Sequence, residues 1–94
     1  MYTIKRLKDF EASMDRLQNS GVLTPSLMRK LNRTVAMLAQ GQKLPASYRD
    51  HQLRGELRDR RECHIRDDVM LVYKLNKANL ILILADIGGH SYLF

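Results

Sequence analysis

The sequence predicts an α+β domain: an αα-hairpin packed on one face of an antiparallel β-sheet, in the order β-α-α-β-β-β. Three observations carry this expectation. Apolar residues recur at helical spacing only within residues 10–38. After residue 57 the pattern turns to alternation and to β-branched side chains. Two turn signals, Arg66-Asp67-Asp68 and Asn76-Lys77-Ala78-Asn79, then divide that region into strands of hairpin length.

The elements follow in order. Tyr2 to Leu7 alternates loosely and reads as a short strand. Phe10, Met14 and Leu17 form an i, i+4, i+7 stripe, a short amphipathic helix opened near Asp9 and closed by Ser20-Gly21. Thr24-Pro25 starts a second helix: threonine caps free amides, and proline suits the first helical position because its missing N–H costs nothing there. Leu27, Leu31, Val35 and Leu38, with Met28, form its buried stripe, and Gly41 ends it. Residues 42–55 hold Pro45, Ser47 and Gly55, show no period, and read as an ordered loop. From Leu57 to Ile65 a strand would turn Leu57, Cys63 and Ile65 inward and Arg58, Arg60, Glu62, His64 and Arg66 outward. Val69 to Leu75 forms the next strand, and Leu80 to Ile87, nearly all apolar, forms a central one.

Ninety-four residues make a single domain, 1–94, with one modest core. A composition of 45% hydrophobic and 28% charged residues excludes a disordered chain. The longest apolar run, Leu80 to Ala85, is too short to span a bilayer, and Met1 to Arg6 lacks the apolar core of a signal peptide. A lone cysteine forms no intramolecular disulfide, so a cytoplasmic home is expected. The net charge of +6 attracts polyanions: nucleic acid or an acidic protein. A membrane partner is not expected, because no segment pairs a basic face with a large apolar one.

All three histidines, His51, His64 and His90, lie in the second half, the first two among basic residues. Such a set suits the cutting of RNA. The 2′-oxygen must lose a proton as it attacks phosphorus, and the leaving 5′-oxygen must gain one. Histidine, with a pKa near ~6.5, serves both steps. The phosphorane carries extra negative charge, which the planar fork of arginine matches. His51, His64, His90 and Asp68 supply proton transfer; Arg58, Arg60, Arg61 and Arg66 are candidates for phosphate. The bland alternatives are a solvated His64, a loop His51 bonded to a carbonyl, a wet sheet face at residues 58–66, and an Asp67-Asp68 that is only a turn. No cofactor or metal is expected. There is no CxxC or HxxxH spacing, and Cys63 and His64 would point to opposite faces of a strand.

The chain resembles the RelE superfamily of bacterial toxins from type II toxin–antitoxin systems, and within it the YafQ branch of mRNA interferases. The resemblance is sharpest from Leu44 to Phe94. It is carried by Leu44-Pro45-Ala46-Ser47-Tyr48-Arg49-Asp50-His51-Gln52-Leu53-Arg54-Gly55, Arg61-Glu62-Cys63-His64-Ile65, Asp68 with Leu71-Val72-Tyr73-Lys74-Leu75, and Gly89-His90-Ser91-Tyr92-Leu93-Phe94. The combination of DHxLxG, RxxH, a tyrosine-bearing strand and a terminal GHxxLF is specific where each piece alone is not. The resemblance implies a ribosome-dependent endoribonuclease that cuts mRNA in the ribosomal A site. It implies a site made of His51, His64, Asp68, His90 and Phe94. The expected roles are His90 as acid, Asp68 or His51 at the 2′-proton, His64 and Arg61 on phosphate, and Phe94 against a base. It implies a cognate antitoxin, contact with ribosomal RNA, and contact with DNA only through the antitoxin complex. Arg6, Lys8, Arg29, Lys30 and Arg33 are candidate ribosome contacts. One departure is visible: the branch's prototype has tryptophan after the aspartate, and this chain has Val69. Two other readings stay open. One is a non-catalytic basic subunit that only partners an antitoxin in a promoter-binding repressor. The other is a gyrase-directed toxin of the ParE kind, against which the histidine set speaks.

Overall fold

The computed structural model describes residues 1–93, apart from the side chains of His90 and Ser91. Its elements are β1 (Thr3–Arg6), α1 (Lys8–Asn19), α2 (Pro25–Ala39), β2 (His51–Gln52), β3 (Arg61–Arg66), β4 (Val69–Asn76), β5 (Ile81–Gly88) and α3 (His90–Leu93), with 3₁₀ turns at Ala46–Tyr48 and Gly55–Leu57. The α+β class agrees with the sequence, and the expected order β-α-α-β-β-β is present with two elements added: the short strand β2 inside the expected loop and helix α3 after the last strand. Among the described residues no helix is long and apolar enough to cross a membrane.

The local chemistry explains the helices. The Thr24 hydroxyl accepts from the Leu27 N–H at 3.2 Å, and Pro25 opens α2. Gly41, at φ +74°, takes the left-handed turn that follows α2, a conformation open to glycine without steric cost. Helix α1 begins at Lys8 behind Leu7, whose side chain has no group to cap it; Asp9 and Glu11 in its first turn and Arg16 in its last complement the helix dipole. Phe10 and Ser13 are its buried residues, while Met14 and Leu17 pack partly exposed against the core.

The sheet has five strands in the order β1-β5-β4-β3-β2. The expected antiparallel unit β3-β4-β5 is present, and β2 extends it antiparallel. Strand β1 adds parallel to β5, with Thr3 opposite Ile81 and Arg6 opposite Leu84, so the sheet is mixed. Helix α1 packs on β5 and α2 on β3. One core joins Phe10, Leu27, Leu31, Val35 and Leu38 to Cys63, Ile65, Leu71, Tyr73, Leu82, Leu84 and Ile87. Each of its fully buried aliphatic side chains contributes about 1.5–3 kcal/mol. Cys63 belongs here: burial pushes its thiol up to about 12, so it is a neutral core side chain.

Strand β3 is shorter than its sequence pattern. Gly55 adopts φ +68° and opens a 3₁₀ turn that takes up Leu57, so the ladder starts at Arg61. Arg58 and Arg60 therefore precede the strand and do not extend a basic row along it. They line a shallow depression with Gln52, Asp59, Arg61, Leu75 and Lys77. Glu62, expected on a wet face, is buried.

Candidate active site

The loop after α2 reaches the sheet through three anchors. Leu44 and Tyr48 are buried in the core. The Tyr48 hydroxyl lies 3.1 Å from that of Thr34, which also donates to the Lys30 carbonyl at 2.7 Å. The third anchor is Asp50. One carboxylate oxygen accepts from the Tyr73 hydroxyl at 2.5 Å, and the other accepts from Arg61 Nε at 3.2 Å and Nη2 at 3.0 Å. Burial, then the Asp50 carboxylate, pushes the Tyr73 phenol well above its usual range. Arg61, expected on phosphate, thus has one edge of its fork, Nε and Nη2, engaged by Asp50.

Asp50 holds the chain where β2 begins, and β2 pairs His51 with Glu62. Glu62 and His64 are two residues apart on β3, so their side chains share one face of the sheet. The result is a cluster that no single segment contains. Glu62 Oε1 lies 3.5 Å from His51 Nε2 and 4.0 Å from His64 Nε2. The Glu62 side chain is only 5% exposed, that of His64 16% and that of His51 51%. Among the described residues, Glu62 Oε2 is buried with no hydrogen-bond partner. A buried acceptor without a partner costs about 1–3 kcal/mol, and a catalytic role is one reason for such a group to be kept.

Arg49 completes the cluster. It sits in the left-handed region, φ 48° and ψ 41°, at a cost of roughly 1–2 kcal/mol for a residue with a Cβ. Its carbonyl oxygen accepts from His51 Nδ1 at 2.7 Å. Its guanidinium meets His64 Nδ1 at 3.2 Å and Asp67 at 3.4 Å.

Asp68 occupies a different setting. It is exposed in the β3–β4 turn and takes both nitrogens of the Arg66 fork, at 2.6 and 3.2 Å. Arg66 holds the Asp68 carboxyl below the usual carboxylate range, which weakens it as a base. The turn does approach the C-terminal element. Met70 pairs with Gly88, and a Cβ added at Gly89 would lie 3.5 Å from the Asp68 carbonyl oxygen. Helix α3 thus starts beside Asp68, which brings the backbone of His90 to this end of the sheet. The His90 side chain and Phe94 lie outside the described residues. Val69 is buried in the core and offers no surface to a stacked base.

The sequence pattern therefore picked out His51 and His64, which the fold brings together, and passed over Glu62 and Arg49, which join them. The signal for Glu62 was present only as its place two residues before His64. Among the described residues no group of three histidine, cysteine or acidic side chains gathers closely enough to hold a metal ion.

A basic α+β domain with two imidazoles about a buried carboxylate holds proton-transfer groups in a field that attracts polyanions. The chain matches, over residues 2–94, the family described as the bacterial toxin of type II toxin–antitoxin systems, YafQ, and it belongs to that family. It is 35% identical over 93 residues to the mRNA interferase toxin YafQ of Escherichia coli K12, covering 99% of this chain and 91% of that protein. A metal-bound toxin from Helicobacter pylori superposes with a TM-score of 0.87 at 39% identity, both chains covered in full. YafQ in the E. coli DinJ–YafQ complex superposes at 0.85 with 27% identity, covering 100% of this chain and 99% of that one.

Proposed function

We propose that this chain is a ribosome-dependent endoribonuclease that cuts mRNA in the ribosomal A site and is neutralised by a cognate antitoxin. The observation that carries the chemistry is the pair of imidazoles facing one buried carboxylate, with Nε2 to Oε1 distances of 3.5 and 4.0 Å. The name of the E. coli relative, mRNA interferase toxin YafQ, and the E. coli DinJ–YafQ toxin–antitoxin complex support the biological setting.

The chemistry runs as follows. His51 holds its Nδ1 proton on the Arg49 carbonyl, so in the neutral ring Nε2 carries the lone pair. It takes the 2′-proton as the 2′-oxygen attacks phosphorus. The imidazolium that forms faces Glu62, whose buried negative charge stabilises it more than an exposed one would. His64 donates its Nε2–H to a phosphorane oxygen, and Arg49 holds the His64 ring through Nδ1. The bond to the 5′-oxygen breaks, and that oxygen takes a proton from His90. The products are a 2′,3′-cyclic phosphate and a 5′-hydroxyl, with no other reactant consumed. Asp68, already paired with Arg66, anchors the turn beside α3 and is not the base.

The test uses purified protein on programmed ribosomes, with mRNA 5′ ends mapped by primer extension. The parent chain cuts within the A-site codon. His51→Ala and His90→Ala, each with an unchanged circular-dichroism spectrum, lose at least about 100-fold in rate. Full cleavage by either variant would overturn the role of that histidine. Intact messages with the parent chain on active ribosomes would overturn the nuclease and leave the antitoxin-binding subunit.

A further inference from the structure

Arg49 touches both imidazoles by different means, and its two contacts have opposite consequences. A carbonyl oxygen only accepts, so His51 Nδ1, 2.7 Å from the Arg49 oxygen, must carry the proton. A guanidinium only donates, so His64 Nδ1, 3.2 Å from Arg49 Nη2, must carry the lone pair. We infer that Arg49 is a positioning residue that sets the two histidines in opposite tautomers, His51 as Nδ1–H and His64 as Nε2–H. In a neutral cluster His51 then presents a proton acceptor at Nε2, while His64 presents a donor at the same ring position.

The backbone is half of this device. The contact runs from residue 49 to residue 51, two positions on. The left-handed turn at Arg49 aims its carbonyl back at the His51 ring. The neighbours fix that turn from both sides: Tyr48 is buried against α2, and Asp50 is clamped by Tyr73 and Arg61. The side chain is the other half. The guanidinium meets the His64 edge at 3.2 Å and also reaches the exposed Asp67 carboxylate at 3.4 Å. The two halves are separable by substitution. Glycine keeps the left-handed backbone and removes the side chain, whereas β-branched valine disfavours that backbone and removes the side chain too.

The tautomers exist whether or not RNA is cut, but their catalytic value rests on the function proposed above. The experiment is therefore in two parts on the full chain. The first part reads two-bond nitrogen–proton couplings of the imidazoles by ¹⁵N NMR, above the titration range of both rings. The parent is expected to show Nδ1–H at His51 and Nε2–H at His64. Arg49→Gly keeps the His51 tautomer, and Arg49→Val loses it, with His51 reverting mainly to Nε2–H. Any other assignment in the parent, or an unchanged His51 in Arg49→Val, overturns the inference. The second part measures single-turnover cleavage. Arg49→Gly lowers the chemical rate by roughly 10- to 100-fold with little change in apparent affinity, and Arg49→Lys recovers part of the rate because the ammonium still donates. Equal rates for the parent and Arg49→Gly overturn the side-chain role. The stated tautomers in a protein that cuts no RNA would sustain this inference and sink the nuclease instead.

Discussion

Glu62→Gln is expected to slow RNA cleavage by about 100-fold or more while leaving thermal stability unchanged or raised. The two halves of that result have one cause. Glu62 is buried, faces the Nε2 atoms of His51 and His64 at 3.5 and 4.0 Å, and among the described residues leaves Oε2 without a partner. A buried charge with incomplete hydrogen bonding adds little to folding, and a neutral isostere of the same shape removes its desolvation cost. The same charge is what stabilises the imidazolium formed when His51 takes the 2′-proton. Glutamine keeps the shape and loses that effect. Melting temperature and single-turnover rate, measured on the same preparation, check the pair. A variant that loses stability in step with activity would mean that Glu62 is a structural residue. A variant that keeps full activity would mean that the cluster is not where the proton moves.

Asp50→Ala should have the largest effect on stability among the polar residues of the loop. The Asp50 carboxylate satisfies the hydroxyl of buried Tyr73 and both nitrogens on one edge of the Arg61 fork. Removing it strands a buried donor and a partly buried cation, at about 2–4 kcal/mol in all. For a domain of this size that lowers the melting temperature by roughly 10–30 °C. Cleavage falls as well, because residue 50 fixes the entry to β2 and with it His51. Two companions make the cause legible. Asp50→Asn keeps an acceptor for Tyr73 and should lose less. Tyr73→Phe, added to Asp50→Ala, removes the stranded hydroxyl and should recover part of the loss. If Asp50→Ala melts within a few degrees of the parent, the clamp contributes nothing, and Arg61 becomes free for the phosphate role that its position in the sequence suggests.

The elements written in local chemistry were legible from the residues. Thr24-Pro25 opens α2 and Gly41 follows its end; Asp67-Asp68 turns β3 into β4. The α+β class follows from the separation of helical and β patterns along the chain. What long-range pairing creates was not legible. Strand β1 joins β5 in parallel across the whole length of the chain, and nothing in Thr3–Arg6 specifies that partner. Strand β2 has two residues, too few to show a period, yet its pairing carries His51 to Glu62. Alternation placed Glu62 correctly on the face of His64 but could not show that this face is covered there. The fork of Arg61 looked free because its partner, Asp50, lies on a loop without periodicity. The left-handed turn at Arg49 had no signal either, since arginine is not a residue that marks such turns. The histidines themselves stood out because imidazole is scarce in this chain and titrates near working pH.

The nature of the ends left on the cut RNA bears most directly on the chemistry assigned to this cluster. Fragments released by the purified chain on programmed ribosomes should carry a 5′-hydroxyl and a 2′,3′-cyclic phosphate, and a message with a 2′-deoxy sugar at the scissile position should stay whole. A 5′-phosphate opposite a 3′-hydroxyl, or cutting at the deoxy position, would mean that water attacks phosphorus. The imidazoles about Glu62 would then not be moving the 2′-proton.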